Sequence, residues 1–219
     1  MKRSIAALAL ICLVCVMAGA QTLAPNTAVV LVNGTALNNE EKNKTLKATD
    51  WLILGDIVLL LGKTSPFGES AAQKDYTLVK APNGKEGWVR SQHIASKASL
   101  AIIKADQAAI YTEPRTVKLT GKYINAMVLV AVLQDGSSST FAKIQGYDSA
   151  QNALFTDSTY VRTEDLTTQS ADVSAAILYA VSKATKDAAV KKNLLRVAKL
   201  RYGSSQFTSK IDEALAALP

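Results

Sequence analysis

The pattern of apolar and polar positions divides the chain into two parts. In residues 27–168, short apolar runs rich in valine, isoleucine and leucine alternate with turn-forming residues, which is typical of β-strands. From Ser170 onward, apolar residues recur every three or four positions, which is typical of amphipathic helices. We therefore predict a mainly β region followed by an α region.

Two apolar runs open the β region. Residues 27–32 form a short run that ends at the turn pair Asn33 and Gly34. Residues 51–61 (WLILGDIVLLL) are the most apolar stretch of the β region, and they are interrupted at Gly55 as a bend would interrupt them. We interpret the first run as a strand and the second as two strand segments around the bend.

A hairpin follows in residues 75–94. Residues 82–84 (PNG) form its turn, because Asn and Gly tolerate positive φ. The returning strand covers residues 87–90, and a short 3₁₀ turn then brings Ile94 back to the core.

These segments resemble a bacterial SH3-like (SH3b) domain. The resemblance rests on residues 55–58 (GDIV), the strand at Tyr76, residues 83–89 (NGKEGWV) and the closing Ile94. It implies a small β-barrel in which residues 36–47 correspond to the long first loop of the family.

The search for internal repeats finds a second copy. Residues 29–40 align with residues 102–113 at a spacing of 73, and residues 88–94 align with residues 160–166 at a spacing of 72. Two anchors at nearly the same spacing predict a second SH3-like barrel. This copy is divergent, because the longer segment 146–159 replaces the compact turn of the first.

Three helices are predicted after the β region. Ser170 or Asp172 is a candidate N-cap of the first helix. Gly203 is a candidate left-handed residue after the second helix, and Ser204 or Ser205 is a candidate N-cap of the third.

Each predicted helix carries an apolar stripe. Such stripes are buried against each other or against a sheet, since a short isolated helix is marginal in water. We therefore expect a helical hairpin or compact three-helix unit. The stripe residues are Val173, Ile177 and Val181 in the first helix, Leu194 and Val197 in the second, and Phe207, Ile211, Leu215 and Leu218 in the third.

The N-terminus has the features of a secretory signal peptide. Lys2 and Arg3 precede a short apolar run at residues 5–16, and the small residues 18–20 (AGA) fit a cleavage site before Gln21. We predict an exported protein, periplasmic or extracellular. The apolar run is short for a membrane span, and retention as an uncleaved anchor is the alternative.

Both cysteines, Cys12 and Cys15, lie in the predicted signal peptide. Lipidation of one of them is a further alternative, but Ile11 and Val14 precede them where a small residue is expected. After cleavage the chain would have no cysteine, and therefore no disulfide, thiol nucleophile or thiolate metal site.

The predicted organisation has four parts. Residues 1–20 are the signal peptide, residues 21–96 the first barrel, residues 97–169 the second barrel, and residues 170–219 the helical unit.

Charge adds one candidate surface. Removal of Lys2 and Arg3 lowers the formal net charge from +7 to +5. The excess gathers between Lys183 and Arg201 of the helical region, where Asp187 is the single acid. A basic helix face is either a solvated surface or a contact for an anionic surface. Because no aromatic residues interleave with these charges, nucleic-acid binding is not expected. The cations concerned are Lys191, Lys192, Arg196 and Lys199.

The chain lacks the catalytic residues of the enzyme classes that accompany SH3b modules. A cysteine peptidase needs a cysteine, and a zinc peptidase needs several ligands, whereas His93 is the single histidine. The carboxylates of the β region fall in predicted turns and loops, and there is no nucleotide-binding motif. We predict a non-enzyme without metal or cofactor.

The SH3b resemblance implies a shallow groove lined by aromatic residues. For each candidate the alternative is core packing. That alternative is favoured for Trp88, whereas Tyr111 is favoured for the surface; for Arg90 and Arg162, ion pairs are favoured over ligand contacts. The candidates are Trp51, Tyr76 and Trp88 in the first copy and Tyr111, Tyr123 and Tyr160 in the second.

Three functions follow as hypotheses. The first is an exported binding or targeting protein that recognises cell-wall peptide, glycan or an envelope protein. The second is a structural adaptor that docks a partner by its C-terminal helices. The third is a cryptic cell-wall hydrolase, which the missing nucleophile and ligand set disfavour.

Overall fold

The structure is a computed structural model, and it describes residues 22–40, 45–67 and 74–218. The predicted signal peptide, residues 1–20, lies outside the described residues. The described chain is mainly β with three α-helices at its C-terminal end, as the apolar pattern predicts. None of the helices in this part of the chain combines the length and the apolar character that a membrane span needs.

Seven strands form the first sheet. In spatial order they run β3-β2-β6-β5-β4-β1-β7, so β3 and β7 are the edges of an open sheet. All the strand pairs are antiparallel. The strands are β1 (Thr27–Val30), β2 (Thr35–Glu40), β3 (Leu46–Leu52), β4 (Ile57–Phe67), β5 (Lys74–Lys80), β6 (Glu86–Arg90) and β7 (Ile94–Ser96).

The second sheet repeats this arrangement. Its order is β10-β9-β13-β12-β11-β8-β14, which is the order of the first sheet with each number raised by seven. The repeated sequence predicts this repeated order. The strands are β8 (Ala98–Ile103), β9 (Gln107–Tyr111), β10 (Leu119–Asn125), β11 (Leu129–Leu133), β12 (Phe141–Asp148), β13 (Ala153–Arg162) and β14 (Leu166–Thr167).

Alternation along the strands gives each sheet a buried interior. Successive side chains of a strand point to opposite faces, so every second residue enters the interior. Leu37, Val58, Val79 and Val89 lie in the first interior, and each is fully buried. The second interior includes Ile103, Ile110, Ile124, Val130 and Val161.

The three helices form one unit that packs on the sheets. They are α1 (Ser170–Ala184), α2 (Ala188–Arg201) and α3 (Thr208–Ala216). Their stripes share one buried cluster, and this cluster also contains residues of both sheets. From the helices it includes Val173, Leu194, Phe207 and Ile211, and from the sheets and their turns Leu54, Ile102, Met127 and Leu129.

The helix ends differ from the sequence prediction. No side chain caps the start of α1: the Asp172 carboxylate instead accepts hydrogen bonds from Thr167, Ser205 and Gln206. The third helix begins at Thr208, and its N-cap residue Phe207 makes no side-chain cap. These predicted caps were wrong. Two of the candidates, Asp172 and Ser205, instead bond to each other, the Ser205 hydroxyl donating to the Asp172 carboxylate at 2.8 Å.

Both ends of α2 also differ from the prediction. Gly203 follows α2, but its backbone is not in the left-handed region, so that prediction was also wrong. The cap that the sequence analysis missed is Asp187, whose Oδ1 accepts hydrogen bonds from the backbone N–H groups of Ala189 and Val190 at 2.9 and 3.1 Å.

The helices pack on equivalent turns of the two sheets. Gly55 lies between β3 and β4, and Met127 lies at the same place between β10 and β11. Both have positive φ, +87° and +64°, and both donate a 2.9 Å backbone hydrogen bond to the first strand of their sheet, at Val30 and Ile103. Ile177 of α1 packs on Gly55.

Candidate functional site

The outward face of the first sheet carries the two tryptophans. On β2, Leu37 is fully buried, so its neighbours Ala36 and Asn38 point outward. Trp51 lies opposite Ala36, and Trp88 lies opposite Asn38. Because residues directly opposite in an antiparallel pair share a face, both tryptophans point outward. The core packing favoured for Trp88 was therefore wrong, since its neighbours Gly87 and Val89 are the residues of β6 that enter the interior.

Tyr76 joins them on this face. In the pairing of β5 with β6, Leu78 lies opposite Trp88 and Tyr76 lies opposite Arg90, while Val79 faces the interior. The structure therefore places the three aromatic candidates of the first copy on one face. We call Trp51, Tyr76 and Trp88 the aromatic face.

The members of the aromatic face differ in exposure. Trp51 is 64% exposed, the largest value among the exposed aromatic side chains of the described residues. Trp88 and Tyr76 are half-buried. The two tryptophans are separated by two strand spacings, about 10 Å across the sheet. This span suits an extended ligand that lies across β2 between them.

A polar cluster fixes the backbone beside Trp51. The Asp50 carboxylate accepts hydrogen bonds from Lys85 Nζ at 2.8 Å, from Asn83 Nδ2 at 2.9 Å and from the N–H of Trp51 at 2.9 Å. The hydrogen bond from Lys85 and the others hold the pKa of Asp50 below its usual value. Asp50 thus ties the turn between β5 and β6 to the edge strand that presents Trp51.

The second sheet has counterparts at the same registers. Tyr123 lies opposite Ala109, as Trp51 lies opposite Ala36, and Tyr160 lies opposite Tyr111, as Trp88 lies opposite Asn38. Likewise Phe141 lies opposite Arg162, as Tyr76 lies opposite Arg90. Every aromatic candidate of the second copy therefore belongs to the equivalent outward face.

That second face is closed by its own side chains. Tyr111 is only 5% exposed, because its ring packs edge-on against Phe141 with the ring centroids 5.1 Å apart. The Arg162 guanidinium forms a 2.9 Å ion pair with Glu164, and Glu164 and the nearby Tyr111 both raise the pKa of Arg162. The predicted surface position of Tyr111 was therefore wrong. Of the second set, Tyr123 is 40% exposed.

The sequence analysis did not name Phe141 as a site residue. Its signal was available, since the repeat places Phe141 in the strand that corresponds to the Tyr76 strand. Tyr111 of β9 packs on Phe141 of β12, and Phe141 lies opposite Arg162 of β13. This arrangement depends on the register of three strands, which the spacing along the chain does not give.

The single histidine lies beside a hydroxyl group of β2. His93 Nδ1 lies 3.3 Å from Thr35 Oγ1. The described chain contains no group of three His, Cys, Asp or Glu side chains that could hold a metal ion. The buried Asp148 carboxylate accepts hydrogen bonds from Asn125 and Gln151, which ties two turns of the second sheet together.

Two clefts lie away from the aromatic face. One, of about 500 Å³, lies between the sheets and includes Thr77, Ser91, Lys97 and Lys143. The other, of about 470 Å³, lies where α1 meets both sheets. Neither cleft is lined by a residue of the aromatic face.

Comparison with known proteins adds little to this geometry. No family model and no curated protein matches the chain. A solved structure of NlpC2 from Trichomonas vaginalis is 16% identical at a TM-score of 0.24, and the match covers 65% of this chain and 47% of that one. NlpC1 from the same organism is 15% identical at 0.24, with 69% and 49% covered. The chain spans about half the length of these proteins. A TM-score of 0.24 supports no statement about the fold or the function of this chain.

Proposed function

We propose that the chain is an exported, non-enzymatic binding protein that recognises cell-wall peptide or glycan, or an envelope protein, through the aromatic face. The observation that carries the proposal is the 64% exposed Trp51 on the same outward face as Tyr76 and Trp88. Exposed aromatic rings on a rigid sheet offer flat apolar area at little entropic cost, which suits sugar rings and extended peptides.

Each sheet is, in this proposal, the wall of an SH3-like barrel, with residues 21–96 in the first, residues 97–169 in the second and residues 170–219 in the helical unit. The shared strand order and the separate buried interiors support this division. The open Trp51 side and the closed Tyr111 side then give the two barrels different roles. The first binds the ligand, and the second supports the helices.

A second candidate function rests on α2. Leu200 is 84% exposed, and it is flanked by exposed Arg196, Lys199 and Arg201. Lys191 and Lys192 are half-buried, and Lys199 forms a 2.7 Å ion pair with Asp212 of α3. An exposed leucine among cations fits an adaptor that docks an acidic partner protein by this helix.

Sedimentation with purified cell-wall sacculi tests the binding function. We expect the protein to pellet with sacculi. If it binds the peptide part of the wall, soluble stem peptides should reduce the pelleted fraction, and if it binds the glycan part, soluble glycan strands should do so. Release of soluble fragments during the same incubation would instead indicate a hydrolase. Absence of pelleting together with capture of a protein by wild type but not by Leu200→Asp would favour the adaptor.

A further inference from the structure

The hairpin of β9 and β10 has an unusual surface. Every residue from position 114 to position 123 is exposed, and this stretch contains three of the large exposed apolar side chains of the described chain. Val117 is 82% exposed and Leu119 is 55% exposed. Two neighbouring aliphatic side chains thus project into solvent from a hairpin tip.

Hydrogen bonds hold this tip in a defined shape. The N–H of Thr112 donates to the carbonyl of Lys118 at 3.1 Å, and the N–H of Lys118 donates to the carbonyl of Arg115 at 3.1 Å. Thr120 Oγ1 donates to the carbonyl of Ile110 at 2.9 Å. The exposure of Val117 is therefore a feature of an ordered 3₁₀ turn, Thr116–Lys118, held at both ends.

Cations surround the exposed aliphatic side chains. Arg115, Lys118 and Lys122 lie within the exposed stretch, and the nearby acid Glu113 lies 3.5 Å from Lys118 Nζ. Aliphatic side chains that enter the headgroup region, ringed by cations that meet anionic lipids, are the two features of reversible attachment to a bilayer surface. We propose that this hairpin docks the protein on an anionic lipid surface, with Val117 and Leu119 as the inserting residues.

The same hairpin of the first sheet shows that the fold does not require this chemistry. Its tip, residues 41–45, has the sequence EKNKT and contains no aliphatic residue. Leu46, which begins β3 as Leu119 begins β10, is half-buried. The structure of residues 41–44 lies outside the described part, so the comparison rests on sequence. The first hairpin therefore lacks a counterpart of Val117, and of the two hairpins the second carries the aliphatic pair.

Other occupants fit the hairpin less well. β10 is an edge strand, but a register shift between Leu119 and Tyr123, with Gly121 at φ +76°, interrupts the ladder that a second copy would extend. An acidic protein would meet a convex tip with two aliphatic side chains, whereas a bilayer accepts such a tip without a matching pocket. The lipid surface is therefore the occupant that shape and charge favour.

Vesicle co-sedimentation of the full chain tests this proposal independently of wall binding. Vesicles of phosphatidylcholine with and without phosphatidylglycerol are compared for wild type, V117N/L119N and R115Q/K118Q/K122Q. The control is Leu59→Asn, which removes a 44% exposed leucine from the other sheet. All variants carry the same N-terminal segment, so any lipid binding by that segment is common to them.

We expect wild type to bind vesicles that contain phosphatidylglycerol, with both hairpin variants about tenfold weaker or more and the control unchanged. Unchanged thermal unfolding of the variants ensures that folding is not the cause. Equal binding by wild type and both hairpin variants would overturn the proposal. Binding of the wild-type protein to polyglutamate that both hairpin variants lose, with no binding to these vesicles, would also overturn it, in favour of an acidic protein partner.

Discussion

Gly55 and Ile177 approach so closely that a Cβ atom at position 55 would lie 2.8 Å from Ile177 Cδ1. Gly55 belongs to the turn between β3 and β4, and Ile177 belongs to α1, so this contact joins the first sheet to the helical unit. The glycine also has φ +87°, which disfavours any side chain.

Gly55→Ala should therefore destabilise the protein in two ways. Backbone strain costs about 1 kcal/mol, and the displacement of Ile177 adds about 1 kcal/mol more. Gly34→Ala is the matched control, because Gly34 has φ +71° but nothing within 4 Å of its virtual Cβ. The free energies of unfolding are measured by denaturant titration.

A double-mutant cycle separates the two costs. In the Ile177→Val background, which lacks Cδ1, Gly55→Ala should cost no more than Gly34→Ala. If Gly55→Ala costs the same in both backgrounds, the contact between the sheet and α1 is not tight.

Met127 should reverse the usual order of alanine and glycine substitutions. It is 4% exposed and has φ +64°, which glycine adopts freely and alanine does not. Both substitutions lose the buried side chain, at roughly 2 to 4 kcal/mol, but only glycine relieves the strain. Met127→Gly should therefore be more stable than Met127→Ala by about 1 kcal/mol. Denaturant titration decides the order, and a more stable alanine variant would refute the strain.

Asp172 should make the stability of the helical unit sensitive to acid. Burial opposes its ionisation, but hydrogen bonds from Thr167, Ser205 and Gln206 outweigh burial and hold the pKa of Asp172 below its usual value. The carboxyl is thus easier to ionise in the folded state, so its stabilising contribution is complete above about pH 4, the ordinary range of an unfolded aspartate. It is lost as the pH falls through the lowered pKa.

The test is the pH dependence of unfolding for wild type and Asp172→Asn. At neutral pH we expect the variant to lose roughly 1 to 3 kcal/mol, because the amide presents a donor where the carboxylate accepted hydrogen bonds. The difference between the two proteins should shrink below about pH 4. A difference that stays constant down to pH 2 would contradict the assigned role.

Ile211→Asp tests the burial of α3. Ile211 is fully buried in the cluster shared by the helices and the sheets. An unpaired carboxylate there should cost several kcal/mol, on the order of 3 to 5, and expose α3 to proteolysis. Leu200→Asp on the solvent side of α2 is the control and should resist protease like wild type. Equal protease resistance of the two variants would show that α3 does not need its buried contact.

Local periodicity accounts for what could be predicted. The strands, the helices and the repeated order follow from patterns of two, three to four, and about 72 residues, which the chain carries in its own sequence. The aromatic candidates of the two copies share faces for the same reason. Alternation within a strand fixes the side to which each residue points.

Long-range competition accounts for what could not. Asp172 has the position of a helix cap, but Ser205 and Gln206, more than thirty residues later, take its oxygens. The loop that follows Tyr111 predicts a surface position for it, but the ring of Phe141, from a distant strand, packs against it. Such outcomes depend on which elements meet, and spacing along the chain does not encode that.

The affinity of Trp51→Ala for purified sacculi, measured beside Tyr123→Ala, tests the proposed function most directly. The two residues occupy equivalent registers opposite Ala36 and Ala109, so both substitutions remove an exposed aromatic ring from an edge strand. We expect Trp51→Ala to bind about tenfold or more weakly, as for the loss of a central aromatic contact, with Tyr123→Ala close to wild type. Wild-type affinity in Trp51→Ala, with its folding intact, would contradict a binding site on the aromatic face.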